Sequence, residues 1–126
     1  MIPATDGPAT PCVAEGMAEI RKSGDGEYAV LVIDMFRHDD ESETIIRGFP
    51  SAALATEYAR RRTRDSLEEL RRPNQSATDL RRQWLLFGED CCVIGQHYCG
   101  ASEIDRFLTH PATREERDWQ SLEKAN

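Results

Sequence analysis

Aromatic residues make up only 7% of this 126-residue chain, and lysine is almost missing, since fourteen of the sixteen basic residues are arginine. No apolar run approaches the roughly 18 residues that a membrane helix needs, which excludes a membrane partner of that kind. The glycine spacings of a P-loop or a dinucleotide fold are absent, as are G-x-S-x-G and H-E-x-x-H, so the familiar phosphate, nucleophile and zinc-protease chemistries have no foothold. Excess positive charge is also lacking. At a net charge of −7 the long-range field opposes coating of nucleic acid or of an anionic membrane. Four cysteines, Cys12, Cys91, Cys92 and Cys99, are too few for a disulfide framework in a chain of this length, and they read as reduced thiols of a cytoplasmic protein.

What is present fits one domain. Residues 1–11, with Pro3, Pro8 and Pro11 among small residues, read as a flexible tail, and residues 12–126 as a single α+β domain. A short helix is expected around Val13, Met17 and Ile20, ended by Ser23-Gly24-Asp25-Gly26. From Tyr28 to Phe36 the chain is β-branched and apolar at odd and even positions alike, the mark of a strand covered on both faces. The polar turn His38–Ser42 leads to a second strand, Glu43–Phe49, and the two form a hairpin. Ser51 caps a long helix that runs to Pro73, with Leu54, Ala55, Tyr58, Ala59, Arg62, Ser66 and Leu70 in a sector of roughly 160° that faces the sheet.

After Pro73-Asn74-Gln75, Ser76 opens a second helix over Ala77–Leu86, ended by Gly88. A strand over Gln83–Phe87 is the alternative. Asp90–Gly95 reads as the third strand. Two capping patterns, Ser102–Asp105 and Thr113–Glu116, imply two short C-terminal helices, one burying Ile104, Phe107 and Leu108 and one carrying Trp119 and Leu122. The whole is a small antiparallel sheet, a hairpin plus a third strand, with a long basic helix packed on one face and short flanking helices. The N- and C-terminal helices, or a second copy of the chain, are the candidates to cover the other face.

Half of the basic residues fall between Arg60 and Arg82, eight arginines against Asp65, Glu68, Glu69 and Asp79, a local charge of +4 inside an acidic protein. The pairs Glu57–Arg61, Arg64–Glu68 and Glu68–Arg72 stand four apart and answer part of that charge within the helix. Arg60, Arg64 and Arg71 on the outer face, with Arg81 and Arg82 beyond the loop, remain as a binding surface. No aromatic residue lies among them to stack a base, so an acidic protein partner or a second copy in a homodimer is expected before nucleic acid.

Two further constellations bear chemistry. Cys91, Cys92, His97 and Cys99 are soft ligands within nine residues, but adjacent cysteines in a strand point to opposite faces, and the spacing lacks paired zinc knuckles. Cys91 and Cys92 therefore read first as small strand residues, with metal binding the sharper alternative. Asp34 interrupts an otherwise apolar strand and calls for an ion-pair partner, Arg47 or Arg62. A small acid–base pocket of Asp34 with Tyr58 and His38 is the competing use. The sequence thus points to a non-catalytic interaction or accessory module without a cofactor. The alternative is a small metal-binding protein or enzyme built on Cys91–Cys99 or the Asp34 region.

Overall fold

The apolar run at Tyr28 becomes the centre of the sheet. The computed structural model describes residues 27–124, so the tail at 1–11 and the helix expected around Val13–Ile20 lie outside the described residues. Strands β1 (Tyr28–Asp34), β2 (Glu43–Phe49) and β3 (Glu89–Val93) are antiparallel in the order β2-β1-β3. The helices are α1 (Ala52–Leu70), α2 (Ala77–Phe87), α3 (Ile104–Thr109) and α4 (Gln120–Lys124). This is the α+β arrangement that the hydrophobic patterning implies, with α1 laid on the sheet.

Local chemistry sets the boundaries. Ser51 Oγ accepts the N–H of Leu54 at 3.1 Å and Ser76 Oγ that of Asp79 at 3.0 Å, so both long helices start at hydroxyl caps. Helix α1 stops at Leu70, ahead of Pro73. Gly88 closes α2 by donating to the Trp84 carbonyl at 2.8 Å, and Gln83–Phe87 is helical because Leu80 and Trp84 are buried one turn apart. β3 starts one residue before the expected Asp90 and ends at Val93, ahead of the left-handed Gly95 with φ 82°.

The two faces of β1 bury different sets. Val30 and Val32 join Phe49, Cys91 and Val93 against Ala55, Tyr58 and Ala59 of α1, with the Phe49 and Tyr58 rings 4.8 Å apart. Ala29, Leu31 and Ile94 occupy the opposite face, and Ala29 and Leu31 are each 1% exposed. Burial on both faces agrees with the non-alternating pattern. The C-terminal turn does not serve the second face: Trp119 and Leu122 pack on the α1 side of the sheet.

Beyond the sheet, the C-terminal half of α1 meets a second cluster of Leu67, Leu80, Trp84, Ile104, Phe107 and Leu108. Leu67 and Thr63 are fully buried although both lie outside the sector read from the helical wheel. The wheel treats the sheet as the sole partner of α1, whereas α2 and α3 flank it as well. Only the first of the two C-terminal capping patterns precedes a helix of more than five residues, and there Ser102 donates to the Cys99 carbonyl instead of capping α3. Thr113 and Glu116 do form the reciprocal box, at 3.2 and 2.9 Å, but around a single 3-10 turn, Glu115–Arg117.

Gly100 sits where a methyl group would run into the side chain of Thr63. Replacing Gly100 by Ala should lower unfolding stability by about 1–3 kcal/mol, because neither α1 nor β3 can retreat. Urea denaturation checks this, and an unchanged midpoint would contradict the close packing of this turn on α1.

Candidate functional site

An edge strand normally leaves a row of unpaired backbone groups, and β3 is an edge strand. Its outward N–H groups are all answered. Glu89 donates to Ser66 Oγ at 3.1 Å, Cys91 to Thr63 Oγ1 at 3.2 Å, and Val93 to the Tyr98 carbonyl at 2.9 Å. Trp84 Nε1 adds a bond to the Glu89 carbonyl at 3.1 Å. Two hydroxyls of α1 and the carbonyl of Tyr98 thus take the acceptor places that a fourth strand would fill.

Of the arginines expected to form a binding surface, Arg60, Arg64 and Arg71 are engaged inside the fold, while Arg81 and Arg82 make exposed ion pairs. Arg60 bonds Glu103 at 2.7 Å and Glu57 at 3.0 Å. Arg64 is only 4% exposed, which corrects its assignment to the outer face. Its guanidinium lies over the Phe107 ring and donates to the His110 carbonyl at 2.6 Å. Arg71 pairs with Glu68 and donates to the carbonyls of Phe107 and Leu108, both at 2.9 Å. These last contacts satisfy free carbonyls at the end of α3, where positive charge is also favoured by the helix dipole. Arg81 pairs with Asp105 and Arg82 with Asp79. The segment after α3 folds back across the outer side of α1, and for that reason the face opposite the sheet is not free.

Among the expected i,i+4 pairs, Glu57–Arg61 forms at 2.8 Å. Arg64 and Arg72 turn elsewhere, and Glu68 bonds Arg71 instead. Arg62, expected as a partner of Asp34, bonds Glu89 at 3.0 Å and Tyr58 at 2.8 Å. Burial works against its charge, but the bonds to Glu89 and Tyr58 outweigh it and raise its pKa. Asp34 instead accepts the N–H of Phe36 at 3.0 Å, in a turn beyond β1. Arg47 lies toward the other end of the sheet, in the irregular register opposite Ala29, out of reach of Asp34. His38 is exposed in the hairpin loop and Tyr58 belongs to the core, so the two do not assemble with Asp34 into an acid–base pocket.

Asp34 does belong to a cleft. Arg62, Asp65, Ser66, Glu69 and Leu70 of α1, together with Phe87, Glu89 and Trp119, complete a depression of about 240 Å³. Asp65 in its wall accepts Arg117 at 2.8 Å and Trp119 Nε1 at 3.0 Å. The strand register places Asp34 opposite Glu89, and Glu43 opposite Ile33, so all three strands bring a carboxylate to this end of the sheet. Asp34, Glu43 and Glu69 form no ion pair among the described residues. Beside the cleft stand large apolar side chains in water: Phe36 is 61% exposed, Leu85 53%, Leu86 51% and Phe87 47%, with the Phe36 and Phe87 rings 5.5 Å apart. Sequence reading missed this patch because Phe87 continues the Leu80–Trp84 stripe; the exposed Leu85-Leu86-Phe87 run was the available signal.

The soft-ligand cluster divides. Cys91 is fully buried on the α1 side, and burial pushes its thiol up to about 12. His97 is exposed in the turn after β3. Cys92 and Cys99 face each other across an isolated bridge and are joined as a disulfide, which corrects the expectation of reduced thiols at these two positions. The turn through Gly95 makes that pairing, and nothing in the spacing announces it. Asp90 lies on the same face. Its carboxylate oxygen and the two sulfurs are all within 4.8 Å of one another. Burial raises the Asp90 carboxyl to about 6 in spite of hydrogen bonds from the Ala101 and Cys91 amides. Glu103 is the opposite case. Burial alone would raise it, but bonds from Arg106, Arg60 and Tyr98 hold it at about 2.

Compared with family models, curated proteins and solved structures, the chain matches none.

The two carboxyls should act oppositely on stability. Asp90, raised above its ordinary 3.8, contributes stability that is present below that value and lost as pH rises through about 6. Glu103, held below its ordinary 4.5, contributes stability present above 4.5 and lost as pH falls toward 2. Urea melts across this range should show Asp90→Asn improving relative to the parent from pH 4 to pH 7, and Glu103→Gln losing ground over the same interval. Parallel pH curves for both variants would refute these assignments.

Proposed function

We propose that this protein is a non-catalytic interaction module, and that its docking surface is the apolar patch of Phe36, Leu85, Leu86 and Phe87 with the acidic cleft beside it. The carrying observation is the exposure of four large apolar side chains at the end of α2 and β1, where a side chain of this size costs most in water. The partner is a protein segment that is both apolar and basic, such as a cationic amphipathic helix. Asp34 and Glu69 line the cleft and form no ion pair among the described residues, and the net charge of −7 extends the same attraction over distance. The arginine surface expected to meet an acidic partner supports that reading less well, because Arg60, Arg64 and Arg71 hold acceptors within the fold and only Arg81 and Arg82, each already paired with a carboxylate, stay at the surface.

A labelled Leu–Lys amphipathic helix of about 18 residues is a suitable probe. It should bind, a Leu–Glu helix of equal length should not, and Phe36→Ser with Phe87→Ser should weaken binding at least about tenfold. Equal binding by the double variant would overturn the proposal. Sedimentation equilibrium provides the second arm: a dimer dissolved by the same substitutions would assign the patch to a second copy of the chain and overturn the basic-partner reading.

A further inference from the structure

The Cys92–Cys99 pair lies outside the docking surface and has a constructed neighbourhood of its own. Cys92 sits on β3 and Cys99 on the returning chain, held opposite each other by the Val93–Tyr98 hydrogen bond and the turn at Gly95. Both residues are only partly buried, unlike Cys91. The one acidic side chain on that face of β3 is Asp90, and a carboxylate oxygen of it lies within 4.8 Å of both sulfurs. Its position is fixed by the Ala101 N–H at 2.9 Å, donated from the 3-10 turn that follows Cys99.

We propose that Cys92 and Cys99 form a thiol–disulfide exchange site in which Asp90 carries the proton, with a small-molecule or protein thiol as the reductant. A thiolate of the donor attacks one sulfur, the S–S bond breaks, and the other sulfur leaves with the bonding electrons and takes a proton from the Asp90 carboxyl. A second donor thiolate then displaces the first protein sulfur, which is protonated in turn. The products are two cysteine thiols and one donor disulfide, and two electrons have passed from donor to protein. Each donor thiol has given up one proton and each cysteine has gained one, with Asp90 regenerated. In the oxidising direction the Asp90 carboxylate removes the proton from a cysteine thiol. Because its oxygen is within 4.8 Å of both sulfurs, either can be the leaving group.

The surroundings suit that role. Ile33 faces Asp90 from β1, and the Ala101 amide donates to its carboxylate. The charges at this end of β3, Glu89 and Arg62, are bonded to each other. A carboxyl with a pKa near 6 holds its proton in mild acid and releases it near neutrality, the range in which a proton carrier is most useful.

The test uses the full chain. Peptide mapping after alkylation without reductant should find Cys92 linked to Cys99 once the protein has equilibrated with oxidised glutathione. The rate of reduction by dithiothreitol, divided by the dithiothreitol thiolate concentration, should fall about tenfold as pH rises through 6. Asp90→Asn should remove that inflection and slow reduction at pH 5 by a similar factor, while Cys91→Ser leaves both intact. A corrected rate that is flat with pH in the parent protein, or alkylation of both Cys92 and Cys99 after the oxidising step, would overturn the assignment without recourse to any variant.

Discussion

Everything in this fold depends on how α1 closes the free edge of a three-stranded sheet. With β1 in the middle, β3 has no further strand on its outer side among the described residues, and its N–H groups would be left bare or open to another chain. Thr63 and Ser66, one turn apart on α1, accept the N–H groups of Cys91 and Glu89, and the chain after Gly95 supplies a carbonyl for Val93. A helix lying on a sheet by apolar contact alone could slide or rotate. Hydroxyls bonded to backbone groups fix its height and rotation, and with them the direction of every other α1 side chain. Gly100 and Gly88 are both fitted against this seam, one at Thr63 and one at Trp84, where a β-carbon would collide.

The arginines follow from that rotation. With one side of α1 on the sheet and another against α2 and α3, its basic side chains point into the returning C-terminal segment. Arg64 and Arg71 reach carbonyls at the end of α3, where the last helical turn has no partners of its own. Arg60 and Arg106 share Glu103, whose carboxyl is held ionised well below neutrality as a result. Arginine suits this work better than lysine, since one planar fork can bond a carboxylate and two carbonyls together, as Arg71 does. The charge that looks like a surface in one dimension is a set of internal fasteners. The acidic cleft, on a different side of the same stretch of α1, and the apolar patch remain exposed, and they carry the proposed docking surface.

Much of this was legible. The two-faced burial of β1 is written in its lack of alternation, and the hydroxyl caps at Ser51 and Ser76 stand at the helix starts that local chemistry requires. Thr63 and Leu67 were not legible as core, because a helical wheel with one assumed partner has no place for α3. Asp34 was expected to take an ion-pair partner, Arg47 or Arg62; its oxygen instead accepts a backbone N–H two residues away, while Arg62 goes to Glu89. Cys92 and Cys99 could not be paired from spacing, since their meeting depends on a left-handed glycine and one cross-chain hydrogen bond.

The amino-acid sequence by itself determined the main strands and the two long helices and their order along the chain, because periodicity, capping and helix termination act over a few residues, whereas the place of β1 between β2 and β3 is a tertiary outcome. Only the tertiary structure decided which charges are spent and which side chains are left in water. Those outcomes depend on the angle and contacts of α1 with segments up to 57 residues away, as in the bond from Arg61 to the Asp118 carbonyl, and no local pattern carries that geometry.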